Sequence, residues 1–489
     1  MNVLKDLQPK NLFKHFEKIS SIPHGSWNEA ELSEYILNWA KGLGLWAQVD
    51  KLHNVIVKKP ASKGYEGAPA VILQAHIDMV CEKNAGIDFD FTKQGLDLYI
   101  DEDFIKAKGT TLGADNGIAV AMMMAILEDD TLAHPALEMI FTTVEEAGMD
   151  GARAIDASLL NGKKLINLDN SDEGIFITGC AGGAKVTVSL PVQLETLKDD
   201  NNLQLYKVFV GGLKGGHSGA DIHLERSNSN KLLGHVLSEI KTSYHLLSLT
   251  GGSKDNAIPR EAEAVVSIKK YEDKNLEEEI KKIEKALKEE LKSTEPNFLL
   301  KLESVNMALD GETAFFSNDS KEKTIQLLLT LPFGVDEFSK DISGLVETSN
   351  NIGTIKLDLG EKSLVITCSI RSSVEDSKKA LCERIKTIAL GLGAKCHISD
   401  GYPGWAYNPV SPLRDICKEV YKKKYGKEPK MMAIHAGLEC GIFASKMPDV
   451  DIVSFGPDIY DLHTPDERVS ISSTARCYDY LLDLLSHLK

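Results

Sequence analysis

Up to about residue 180, short apolar runs alternate with segments whose apolar residues recur at helical spacing. Leu32, Ile36, Ala40 and Leu43 form one such stripe, which Gly42 and Gly44 terminate. Ser26 and Glu29, three residues apart, predict a capping box at its start. The runs 68–80, 137–144 and 165–168 are too short for helices and read as buried strands, with a helix over 117–127 between the first two. This βαβ rhythm predicts a mainly parallel sheet covered by helices.

Near Gly182 the pattern changes. Alternating strands at 204–210, 262–268 and 362–370 take over. Two surface helices interrupt them, 275–291, with Leu276, Ile280, Ile283 and Leu287 as its apolar stripe, and 374–392. The βα signature then returns with a helix over 412–425, a strand over 451–455 and a terminal helix over 471–488. The expected class is α/β. A discontinuous catalytic domain, 1–183 and 399–489, carries an inserted α+β domain at 184–398.

Composition narrows the classes of function. The 489 residues carry a formal net charge of −16, which argues against nucleic acid and anionic membrane surfaces as partners. No run approaches the roughly 20 apolar residues of a membrane span, and the N-terminus lacks a signal-peptide pattern. The eight cysteines are scattered without a C-x-x-C pair, which suggests reduced thiols and a cytoplasmic location.

The informative feature is where acidic and histidine residues fall. His76 and Asp78 end one apolar run, Asp115 sits in a glycine-flanked turn opening a helix, Glu145 and Glu146 follow the next run, and Asp169 ends the third. His463 lies in the loop after the 451–455 strand. All lie at or beyond strand C-termini or at a helix start, the edge where α/β sheets bind ligands. Two histidines and three carboxylates suit Zn²⁺, Mn²⁺ or Co²⁺. Asp115 is the natural bridge, with His76 and Asp169 on one ion and Glu146 and His463 on the other. Asp78, two residues after His76, can orient its ring. Adjacent Glu145 is then free to act as general base on the metal-bound water, which becomes a hydroxide bridging the two ions, and to return the proton to the leaving amine.

The motifs QAHIDMV, GTTLGADNGI, TTVEEAGMDGA and INLDN resemble the metallopeptidase family that contains carnosinases, acylases and glutamate carboxypeptidases. CAGG at 180–183, GLKGGHSGADIH at 212–223, NAIPRE at 256–261, HAGLECG at 435–441 and GP…HTPDE at 456–467 look like its aminoacyl-histidine dipeptidase branch. The likeness runs over nearly the whole chain. It implies two metal ions, zinc first with manganese or cobalt as alternatives, and a lid domain that often makes a homodimer. It implies that His217 stabilises the oxyanion and that Asn256, Arg371 and Gly437 contact substrate. A guanidinium such as Arg371 can hold a dipeptide's free carboxylate by a forked pair.

The expected activity is therefore hydrolysis of unblocked dipeptides, Xaa-His included. An N-acyl amino acid amidohydrolase or a tripeptidase is the rival on the same scaffold. A non-catalytic metal-binding interaction protein is the rival of another class. His435 and Glu439, spaced i, i+4, read as structural or supporting residues, Cys440 as an inert buried thiol, and Met122–Met124 as core packing.

Overall fold

Residues 3–196, 202–305 and 313–489 are described by a computed structural model. Contacts divide the chain into two units. One comprises Met1–Cys180, Trp405–Ala433 and Leu438–Lys489; the other comprises Ala181–Gly404 and Ile434–Gly437. The expected breaks at 183/184 and 398/399 lie a few residues from those observed. That 434–437 joins the inserted unit was not foreseen.

In the first unit an eight-stranded sheet runs Trp46–Val49, Val55–Lys59, Leu137–Thr142, Val71–His76, Lys164–Asn167, Asp451–Ser454, Ile175–Cys180, Lys430–Ile434. Its four middle strands are parallel. The Trp46–Val49 and Val55–Lys59 flank is antiparallel, so the sheet is mixed and parallel at its centre. Val71–His76 and Leu137–Thr142 are buried along their whole length, as expected for strands covered on both faces.

The helix Ala114–Glu128 is apolar all round and buried from Asn116 to Leu127, which includes the three methionines. It packs in one core with Lys10–Ser20, Ala30–Gly42, Pro412–Tyr425 and Ile471–His487. A small sheet escaped the sequence reading. Leu98–Asp101, Phe104–Ala107, Arg468–Ser470 and Ile459–Tyr460 form four short strands, and the last two make a hairpin around His463.

The predicted capping box does not form. The helix starts at Ala30, and no side chain caps it. Ser26 Oγ instead donates to Asp78 Oδ2 at 2.8 Å, and Glu29 Oε1 accepts the N–H groups of Trp27 and Val144. Partners distant in sequence outcompete the local pair.

The second unit is built on a nine-stranded sheet whose strand pairs are antiparallel. Burial alternates along Ala262–Lys269 and Ser363–Ser372. Asp273–Leu291 buries Leu276, Ile280 and Leu287, as its stripe predicts. Two further helices, Ser229–Glu239 and Asn318–Thr330, pack into the same core.

Candidate active site

His76 ends the central strand of the first unit's sheet. Its Nδ1 lies 3.0 Å from the carbonyl oxygen of Asp78 and 3.4 Å from Asp78 Oδ1, so the backbone acceptor is the closer. A ring that donates from Nδ1 presents Nε2 as a lone pair. That Nε2 faces Asp115 Oδ1 at 3.1 Å and Asp169 Oδ1 at 3.6 Å. The other oxygen of Asp115 lies 3.5 Å from His463 Nε2, which is also 3.0 Å from Glu146 Oε1. Two acceptor clusters thus share Asp115. The structure brings all five expected ligands together, with atoms of His76, Asp115 and Glu146 mutually within 4.8 Å.

Asp78 does more than face the ring of His76. Its carboxylate accepts the backbone N–H of Glu145 at 2.9 Å and of Glu146 at 3.2 Å, besides the Ser26 hydroxyl. Val144, just before this pair, holds φ 56, and His463 holds φ 62. Left-handed backbone at a β-branched residue stores strain of the kind that clusters at functional sites. At Gly113, φ is 65, and a Cβ there would come within 2.8 Å of Met79 Sδ. Only glycine fits the turn that aims Asp115.

Glu467 is a residue the sequence reading missed. Buried, it accepts the N–H groups of Leu112, Gly113, Ala114 and Asp115 at 2.8–3.3 Å. It ties the loop carrying His463 to the turn carrying Asp115. A TPDE loop carries no periodicity to reveal this; its only signal was an acidic residue close to a ligand.

The electrostatics call for a cation. Burial would lower the pKa of His76, yet the Asp169 charge and hydrogen bonds to Asp115, Asp169 and Asp78 raise it well above its ordinary value. Hydrogen bonds to Asp115 and Glu146 push His463 up to about 10. Burial raises Asp169 to about 6, with the Asp115 charge adding to it. Burial raises Glu145 strongly, and the charges of Asp169, Glu439 and Glu146 add to it. Burial and the Asp115 charge raise Glu467 to about 7. Among the described residues no lysine or arginine pairs with any of these carboxylates. Glu146 Oε1 is buried, and His463 Nε2 at 3.0 Å is the cationic partner that faces it. Two imidazoles and three carboxylates whose ligand atoms converge, with a proton affinity that a dication would displace, are the donor set of a metal site.

The second unit gathers the other expected residues. His217 is paired with Ala257, next to Asn256, whose carbonyl accepts the N–H of Ser218. Nδ1 of His217 accepts N–H bonds from Gly219 and Ala220. The neutral ring therefore carries its proton on Nε2, as a donor. Burial, and then the Arg371 charge, lower its pKa. Arg371 is buried, gives Nη1 to Tyr402 Oη at 3.1 Å, and leaves Nε without a partner. A Cβ on Gly219 would fall 2.4 Å from the His435 carbonyl oxygen and 3.1 Å from both Arg371 Nε and His217 Cε1. Glycine lets these three converge. Gly437 lies two residues beyond His435; the Asn256 side chain is exposed. His435 and Glu439 share no helix, because the helix begins at Glu439. Burial raises the Cys440 thiol well above its ordinary value, which leaves it inert.

The chain is 39% identical over 490 residues to the cytosol non-specific dipeptidase of Escherichia coli K12, covering all of this chain and 99% of that one. The crystal structure of aminoacylhistidine dipeptidase from Vibrio alginolyticus superposes with a TM-score of 0.91 at 38% identity, covering 99% of this chain and 98% of that one. Aminopeptidase PepT from Bacillus cereus ATCC 10987, at 14% identity and a TM-score of 0.56 over 99% of both chains, shares the fold. The model of peptidase family M20/M25/M40 matches residues 72–487. The chain belongs to that peptidase family.

Proposed function

We propose that the chain is a dipeptidase that cleaves unblocked dipeptides, Xaa-His included, with two divalent ions. The carrying observation is the divided site: each oxygen of Asp115 faces a different histidine, and each histidine has a second carboxylate. His76 and Asp169 would hold one ion, Glu146 and His463 the other, and Asp115 both. Zinc suits this set best, and manganese or cobalt can replace it. Such ions, when bound, polarise the scissile carbonyl and lower the pKa of water.

Glu145 takes the proton of the attacking water and returns it to the leaving amine. Its raised proton affinity suits both halves of that task. Asp78 holds the backbone of Glu145 and Glu146. His217 donates Nε2–H to the tetrahedral oxyanion. Arg371, buried without a carboxylate partner among the described residues, receives the substrate's free carboxylate. Asn256 and Gly437 complete the contacts.

The names of the two full-length relatives support this reading. Among the described residues no helix is long and apolar enough to cross a membrane. The eight cysteines are free, which supports a cytoplasmic location. A homodimer through the inserted unit belongs to the same reading.

A substrate panel tests the proposal: β-Ala-His, a free dipeptide, a tripeptide and an N-acetylated amino acid. The free dipeptides should dominate. Faster cleavage of the acetylated substrate or the tripeptide would assign the chain to the rival activity.

A further inference from the structure

One buried carboxyl is unused by this mechanism. Glu439 opens the helix Glu439–Lys446 and is 0% exposed. Its Oε2 accepts from Gln74 Nε2 and from Thr142 Oγ1, each at 2.6 Å. Its Oε1 has no partner, and among the described residues no cationic side chain pairs with it.

The bonds continue across the sheet. Gln74 Nε2 also reaches Thr142 Oγ1 at 3.0 Å, and Gln74 Oε1 accepts from Asn167 Nδ2 at 2.6 Å. Asn167 Oδ1 in turn accepts the N–H of Asp169 at 3.2 Å. Gln74 lies opposite Asn167 in the parallel register, and Thr142 lies opposite His76. The side-chain donors all run toward Glu439: Asn167 gives to Gln74, while Gln74 and Thr142 give to the carboxyl.

Each rung sits just ahead of site chemistry on its own strand. Gln74 precedes His76 by two residues, Asn167 precedes Asp169 by two, and Thr142 precedes Glu145 by three. An apolar interior does not need three polar side chains toward the C-terminal ends of three neighbouring strands, with a buried carboxyl at a helix start to receive them. Such a network fixes one register of the strands it joins, and Glu439 Oε1 is the atom it leaves unmet.

We propose that Glu439 is a positioning residue: the terminal acceptor of a buried Asn167–Gln74–Thr142 ladder that locks three strand ends and so sets the spacing of His76, Asp169 and Glu145. The ladder acts through those residues and touches no substrate. The inference rests on the metal-site reading above.

The test is calorimetric titration of the chelator-stripped full chain with Zn²⁺ alone. Glu439→Ala leaves Gln74 and Thr142 without their acceptor and should lower zinc affinity about 10–100-fold, the range for supporting residues of metal ligands. Glu439→Gln keeps an acceptor oxygen in place and should stay within about threefold of the wild type. For dipeptide hydrolysis, Glu439→Ala should lower kcat while leaving KM within about twofold. Wild-type affinity in Glu439→Ala would overturn the proposal, as would a Glu439→Gln protein as impaired as the alanine variant. If Glu439→Ala does not fold, Thr142→Val decides: it removes one donor at constant shape and must weaken zinc binding. A wild-type chain that binds no zinc would overturn both the metal-site reading and this inference. Normal wild-type binding with unaffected variants would overturn the inference alone.

Discussion

Asp78 accepts the backbone N–H of Glu145 at 2.9 Å. One carboxylate thereby links the strand that ends in His76 to the segment that carries the proposed base and a proposed ligand. Asp78→Ala removes the acceptor of two backbone amides and one hydroxyl. Supporting residues of this kind affect activity about 10–100-fold, and kcat should fall by that much. Steady-state kinetics with a free dipeptide measure it, and unchanged kcat would free Asp78 of this role.

Glu145→Gln keeps the shape of the side chain and removes its basicity. General acid–base groups contribute about 10²–10⁴-fold, so turnover should drop by that factor while metal content stays at the wild-type level. Elemental analysis beside kinetics separates the two effects. Near-normal turnover would remove Glu145 from the mechanism.

Glu467→Ala strips four backbone N–H groups of their acceptor. A buried donor left unmatched costs about 1–3 kcal/mol. With water re-partnering half of them, the apo-protein should lose roughly 2–6 kcal/mol by denaturant unfolding. Metal affinity should fall as well, because the turn holding Asp115 is released. A variant as stable as wild type would show that the loop holds itself.

His435, in the second unit, gives a pH signature of its own. Burial, and then the Arg371 charge, hold its pKa down to about 3 from an ordinary 6.5. The unfolded ring takes up a proton below about pH 6.5 and the folded ring does not. Stability therefore falls as pH drops below 6.5, by up to about 1.4 kcal/mol per pH unit from this residue. His435→Asn should flatten the decline in unfolding free energy between pH 7 and pH 5. Parallel curves for the two proteins would contradict it.

Much of the metal rim was legible because its residues follow apolar runs. His76 and Asp169 each end or follow a buried strand, and Glu146 follows another, so periodicity located them. Glu467 was not legible as an anchor, and Glu439 was legible as a supporting residue but not by its partners. Both act on groups more than 250 residues away in sequence, and neither sits on a periodic stripe. Ser26 misled for the same reason: its partner is Asp78, 52 residues on, not Glu29. The strands within 98–107 and 459–470 are too short to leave a pattern, although the second pair forms the hairpin that presents His463.

In the proposed mechanism Asp115 joins two ion sites that together make a dipeptidase. The most direct measurement is hydrolysis of a free dipeptide as Zn²⁺ is returned stepwise to the chelator-stripped chain. Activity should be absent after stripping and reach its plateau at about two ions per chain. Full activity in the stripped protein, or no hydrolysis with two ions bound, would contradict the account.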